Sequence, residues 1–171
     1  MLFRSAHHGG SDKWDVLSQG AQVLDGSNSD FLSMLSLSGS KPLSNAVNYA
    51  AFSKRLDLTN FVDYLLVNVY AFNGDWPHNN WRAARERVTG KPWRFYVWDA
   101  EFGFVTYNRS VTGNTFNEDL GGATEIPTLH ARLMKSPEYK LLFADRIQRA
   151  FLNDGPLSPT NVTRQIGRAH V

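Results

Sequence analysis

Apolar residues recur at helical spacing over most of the chain, interrupted once by a stretch with the character of paired strands. Residues 12–25 mix polar and apolar positions without a clear period and end on Asp25-Gly26, a turn signal. From Asn28 to Leu37, Phe31, Met34, Leu35 and Leu37 fall at near-helical steps, and Gly39 with Pro42 closes the segment. A second helix is predicted from Leu43 to about Arg55, with Val47, Ala50 and Ala51 as its apolar stripe. The strongest periodicity covers Asn60 to Phe72, where Phe61, Leu65, Asn68, Val69 and Phe72 share one face. Asp57 or Thr59 can cap that helix, and Asn73-Gly74 stops it. Two strands are then predicted, Trp81 to Val88 and Trp93 to Asp99, around the turn Thr89-Gly90-Lys91-Pro92. The second is aromatic and β-branched, as half-buried strands are. Residues 103–124 carry Gly and Asn with little period and read as an ordered loop or activation-type segment. Helices follow from about Pro127 to Lys135, and from Pro137, capped by Ser136, to Asp154-Gly155. Ser158-Pro159 opens one more.

Composition narrows the classes. A chain of 171 residues suits one domain, and 42% hydrophobic with 20% charged residues reads as globular rather than disordered. The net charge of +2 gives no basis for a nucleic-acid surface. No apolar run approaches the roughly 20 residues that span a bilayer. With no cysteine, disulfides and thiol catalysis are excluded. Both ends look foreign: residues 1–5 and 166–171 can be encoded by overlapping complementary strings of a sequencing adapter. The native segment is therefore expected to be residues 6–165 of a longer protein, with no conclusion to be drawn about a leader or about compartment.

The candidate chemistry lies between the strongest helix and the strand pair. Asn73-Gly74-Asp75-Trp76-Pro77-His78-Asn79-Asn80 leaves a helix, turns and enters a strand, placing Asp75 five residues before Asn80. The hairpin then delivers Asp99-Ala100-Glu101-Phe102-Gly103. This is the order phosphoryl transfer by kinases uses: an Asp, four residues, an Asn, a hairpin, and a metal-binding Asp followed by a glycine. The first Asp must orient a hydroxyl and accept its proton, while the Asn oxygen and the later carboxylate hold Mg²⁺ or Mn²⁺ against a triphosphate. Gly103 lets the backbone turn away. Asp75 could instead cap a turn, and Asp99 could simply end a strand. His78 could touch phosphate, although a loop-shaping hydrogen bond is the simpler expectation. Asn79 stands beside Asn80, and spacing alone selects Asn80.

Three runs sharpen this: Phe61 to Asn68, Gly74 to Trp81, and Trp93 to Glu101. Together they resemble the CotH kinase family (spore coat protein H-like atypical kinases), and a looser likeness continues through Leu129 to Leu133 and Phe143 to Arg146. The resemblance implies an α+β fragment like the C-terminal lobe of a protein kinase, mainly helical with one catalytic β-hairpin. It implies Asp75 as the catalytic Asp, and Asn80 and Asp99 as metal ligands. Glu101 stands where many relatives carry a second Asp, as a further metal contact. ATP would be the co-substrate, Mg²⁺ or Mn²⁺ the metal, and Ser or Thr of a coat or cell-surface protein the acceptor. The Gly-rich loop and nucleotide-binding Lys would lie before residue 6, since Lys13, Lys41 and Lys54 lack a suitable strand context. This fragment is accordingly expected to bind ATP poorly by itself.

Other residues have ordinary expectations. His7-His8 and His130 lack partners at metal-ligand spacing and read as surface residues. Trp76, Trp81, Trp93 and Trp98 read as core rather than as a sugar platform. Arg82, Arg85 and Arg87 could meet phosphates or an acidic substrate, but a solvated strand face paired with Glu86 is the default, and Arg146 and Arg149 read as surface charges. Two rivals stand beside the kinase reading. One is a non-catalytic assembly protein of the same fold; the other is a glycoside hydrolase using Asp75, Asp99 and Glu101, in which Asn80 has no role.

Overall fold

A computed structural model describes residues 12–104 and 115–168 of the chain. It is an α+β arrangement of helices around a four-stranded antiparallel sheet. The strands are β1 (Trp14–Ser18), β2 (Gln22–Asp25), β3 (Trp81–Glu86) and β4 (Arg94–Val97), in the order β2-β1-β3-β4. The helices are α1 (Ser29–Ser40), α2 (Ala46–Phe52), α3 (Leu58–Ala71), α4 (Thr115–Leu120), α5 (Glu125–Leu133), α6 (Pro137–Phe151) and α7 (Pro159–Arg168).

The central helix forms where its apolar period predicts. Asp57 caps α3 by accepting from the Asn60 N–H at 3.0 Å, and Phe61, Leu65 and Asn68 are buried with Val62, Tyr64 and Leu66. Its end is not made by Gly74: Phe72 itself adopts the left-handed conformation, φ 55°. Asn60 fastens α3 to β4, accepting from Phe95 N at 2.7 Å and donating to Phe95 O at 3.1 Å. Those two bonds satisfy backbone groups on an edge strand that would otherwise stand open. Phe31, Trp81, Trp93 and Phe95 interlock beneath the sheet at centroid distances of 5.1 to 6.2 Å.

Residues 12–25 depart from expectation. They form the hairpin β1–β2, so β3–β4 is not an isolated catalytic hairpin but half of a sheet. Their weak period has a physical cause: every residue of β1 is buried, on both faces, while every residue of β2 is exposed. Asp15, 2% exposed, accepts from Ser27 N at 2.8 Å and pairs with Arg85 at 3.0 Å. Gly26 follows β2 with φ +73°, and a Cβ there would lie 2.2 Å from Asp15 Oδ1 and 2.7 Å from Trp14 O. Gly26→Ala is therefore expected to lower stability by about 2–3 kcal/mol, through strain and through displacement of a buried carboxylate. The denaturant midpoint checks this, and an unchanged midpoint would contradict it.

Four further expectations are corrected. The second helix is only Ala46–Phe52, capped by Asn45, and its expected stripe faces outward: Val47 is 77% exposed, while Leu43 and Phe52 are buried. Within 103–124, residues 105–114 lie outside the described ones, but Thr115–Leu120 is helical. Arg146 is not a free surface charge; it grips Asp63 with two bonds of 2.6 and 2.7 Å, tying α6 to α3. Among the described residues Arg85 and Arg87 face Asp15, while Glu86 is buried and meets the Thr89 hydroxyl and Lys91.

His130 is likewise not at the surface. It is 5% exposed, packs on Phe116 and Phe143, and has its Nδ1 3.2 Å from the Tyr139 hydroxyl. Burial pushes its pKa down to about 4. The unfolded chain takes up this proton near pH 6.5, whereas the folded chain does not until about 4. Stability is thus fully present above pH 6.5 and declines as pH falls toward 4, by about 3 kcal/mol at most. His130→Gln removes the titration, so the stability gap between the two proteins should narrow as pH falls through that window. Parallel stability curves would contradict the assignment.

Candidate functional site

The site is built where α3 ends and where β3–β4 opens. After Phe72 turns left-handed, Asn73 is drawn inward: its N–H donates to Asn68 O at 3.2 Å and its Nδ2 to Asn68 Oδ1 at 3.1 Å. Asn73 is fully buried, which fixes where the following loop departs. Trp76 anchors the loop's other side, also fully buried, with Nε1 donating to the Tyr64 hydroxyl at 2.5 Å. The Trp76-Pro77 peptide is cis. Between these anchors Asp75 is half-buried, and its carbonyl accepts from Asn79 N at 3.0 Å. Its carboxylate has no hydrogen-bond partner among the described residues. His78 is exposed at the loop tip and Asn79 half-buried.

At the hairpin mouth, Trp81 pairs with Val97, so Asn80 and Asp99 emerge from adjacent strands. Both are left-handed, φ 56° and 55°, and Asn80 Nδ2 donates to Asp99 O at 3.1 Å. This bond occupies the amide nitrogen and leaves Asn80 Oδ1 as an available acceptor. The Asp99 side chain is exposed, as is Glu101. Phe104 is left-handed too, so four of the described non-glycine residues with positive φ, Phe72, Asn80, Asp99 and Phe104, surround this mouth. Such conformations cost of order 1–3 kcal/mol each and persist where the surroundings over-determine them, often at functional sites.

The two segments are held side by side. Phe104 N donates to Ala71 O, and a Cβ on Gly74 would lie 3.4 Å from Phe102 Cβ. Gly103 serves a purpose different from the expected one. The left-handed turns fall at Asp99 and Phe104, whereas a Cβ at Gly103 would press on Ala100 O at 3.0 Å and on Ala71 O at 3.5 Å. Its role is to let the chain pass close to the end of α3.

The donor set suits a hard divalent cation: an amide oxygen and an exposed carboxylate on a rigid hairpin. Among the described residues no three or more His, Asp or Glu side chains gather into a group able to hold a metal ion. Two protein oxygens with the rest supplied by phosphates and water is how Mg²⁺ is commonly held beside nucleotides. Lys13 stands at the opposite end of the sheet, since Trp14 pairs with Glu86. Trp76, Trp81 and Trp93 are fully buried, so their ring faces belong to the core, as expected, and cannot present a sugar platform.

Arg82, for which a solvated strand face was the default expectation and phosphate contact the lesser one, adjoins this site. Arg82 lies over the Trp98 ring, 4.5 Å from its centroid. Period-two alternation carried the signal, because Arg82 pairs with Tyr96 and so shares a sheet face with Trp98, opposite to Arg85. No helix of the described residues is long and apolar enough to cross a membrane.

No curated protein and no solved structure matches the chain. The family model described as CotH kinase protein matches residues 5–170, nearly the whole chain and all of the site. The chain belongs to the CotH kinase family.

Proposed function

We propose that this chain carries the catalytic loop and metal-binding Asp of an ATP- and divalent-metal-dependent protein kinase acting on Ser or Thr hydroxyls, in a fold like a kinase C-terminal lobe. The observation that carries the reading is the Asn80–Asp99 clasp at the hairpin mouth, beside the loop that presents Asp75. Asn80 Oδ1 and the Asp99 carboxylate would hold Mg²⁺ or Mn²⁺, with Glu101 as a further contact two residues on. The metal, when bound, neutralises charge on the β- and γ-phosphates of ATP.

Asp75 orients the acceptor hydroxyl and takes its proton as the oxygen bonds to the γ-phosphorus. The bond from the γ-phosphorus to the bridging oxygen breaks, and ADP leaves with the electron pair. Trp76 and Asn73, buried on either side, hold Asp75 in place, which matters because phosphoryl transfer depends chiefly on positioning and electrostatics. Asn79 closes the loop on the Asp75 carbonyl, whereas His78, expected to shape the loop, is exposed at its tip; Gly103 allows the close approach that brings residues 99–104 beside it. The glycosidase scheme leaves the Asn80–Asp99 bond without a purpose.

The test is transfer of γ-labelled phosphate from ATP to an acceptor protein by the full-length gene product, with Mg²⁺ or Mn²⁺ and with chelator. Label on Ser or Thr that chelator abolishes supports the reading. A folded protein that transfers nothing with either metal would sink it.

A further inference from the structure

The three arginines of β3 and its turn have different fates. Arg85 is neutralised by Asp15 at 3.0 Å and Asp30 at 2.6 Å. Arg87 faces Asp15 at 3.7 Å and Asp25 at 3.8 Å. Arg82 makes no ion pair among the described residues; it donates to Trp81 O at 2.9 Å and to Gln19 Oε1 at 3.4 Å. Its guanidinium rests 4.5 Å from the Trp98 ring centroid. Stacking and neutral acceptors fix its direction without cancelling its charge. Arg82 is half-buried, so part of its water shell is already withdrawn. A guanidinium always charged, partly desolvated and prearranged is suited to a planar anion, and phosphate oxygens match its fork.

We propose that Arg82 is a further phosphate-binding residue of this site, held against Trp98 beside Asp99 so that it meets the phosphate chain of the metal-bound nucleotide. The assignment rests on the kinase reading above. It adds a cation on the sheet side of Asp99.

Equilibrium dialysis of labelled ATP with Mg²⁺ tests it on the full-length gene product, its Arg82→Gln and Arg82→Lys variants, and Arg87→Gln as a control for general charge. Arg82→Gln should weaken ATP binding by roughly ten- to a hundredfold, the cost of a charged hydrogen bond. Arg82→Lys should recover part of that loss, and Arg87→Gln should bind as the unsubstituted protein does. In transfer assays the change should appear in KM for ATP. Unaltered ATP affinity in folded Arg82→Gln would overturn the assignment, as would a rise confined to KM for an acidic acceptor peptide. Should Arg82→Gln fail to fold, Arg82→Lys carries the test, with severalfold weaker binding expected and unchanged binding overturning it. Absence of metal-dependent ATP binding in the unsubstituted protein would instead overturn the kinase reading, and this assignment with it.

Discussion

Replacing Asp99 by Asn is expected to lower metal-dependent phosphate transfer on the order of 10³-fold or more, with little change in folding stability. The choice of Asn separates chemistry from architecture. Asp99 sits at φ 55°, a conformation that Asn tolerates about as well as Asp, whereas Ala would add strain of its own. The bond from Asn80 Nδ2 goes to the Asp99 carbonyl, not to its side chain, so the clasp survives the substitution. What disappears is the negative charge proposed to hold the cation, and with it the proposed stabilisation of charge on the phosphates. Asp75→Ala should reduce transfer on the same scale by a different route, leaving metal-dependent nucleotide binding intact. Dialysis distinguishes the two: binding weakens in Asp99→Asn and persists in Asp75→Ala. Equal transfer by Asp99→Asn and the unsubstituted protein would remove Asp99 from the metal site.

The second large effect is on folding. Trp76→Ala should cost about 3–5 kcal/mol, the range for deleting a fully buried large aromatic. Trp76 is 0% exposed, lies 5.9 Å from Tyr64 in an edge-to-face arrangement, and satisfies the buried Tyr64 hydroxyl. That hydroxyl, deep in the core, has its pKa raised by burial and remains a neutral partner. Against a typical total stability of roughly 5–15 kcal/mol, the loss would leave a marginal protein. Trp76→Phe should cost less, about 1–3 kcal/mol, because most of the ring volume stays while the Tyr64 hydroxyl loses its donor. Denaturant midpoints in the order unsubstituted, Trp76→Phe, Trp76→Ala are the expected result. A Trp76→Ala midpoint equal to that of the unsubstituted protein would contradict the anchoring role given to this residue.

Much of the helical framework was legible because local signals and burial agree there. α3 announces itself through Phe61, Leu65 and Asn68, and α6 through Ser136, Pro137 and Glu138, because caps and periodicity are properties of neighbouring residues. The meeting of Asn80 with Asp99 was legible for a related reason: a hairpin must return one strand to the start of the other. Long-range compensation was not legible. Nothing near Asp15 in sequence announces Arg85 as its partner, and nothing near His130 announces an aromatic enclosure from Phe116 and Phe143. The β1–β2 hairpin was hidden because burial on both faces of β1, with full exposure of β2, erases the alternation that marks a strand. The left-handed conformations at Asn80 and Asp99 were also out of reach, since they arise from how the hairpin mouth meets the α3 loop.

The most direct test of the account is the transfer of labelled phosphate to Ser or Thr by the full-length gene product, run beside its Asp75→Ala and Asp99→Asn variants with Mg²⁺ or Mn²⁺. The unsubstituted protein should transfer phosphate, both variants should lose that transfer, and chelator should abolish it. Transfer that survives both substitutions, or none from a folded unsubstituted protein, would contradict it.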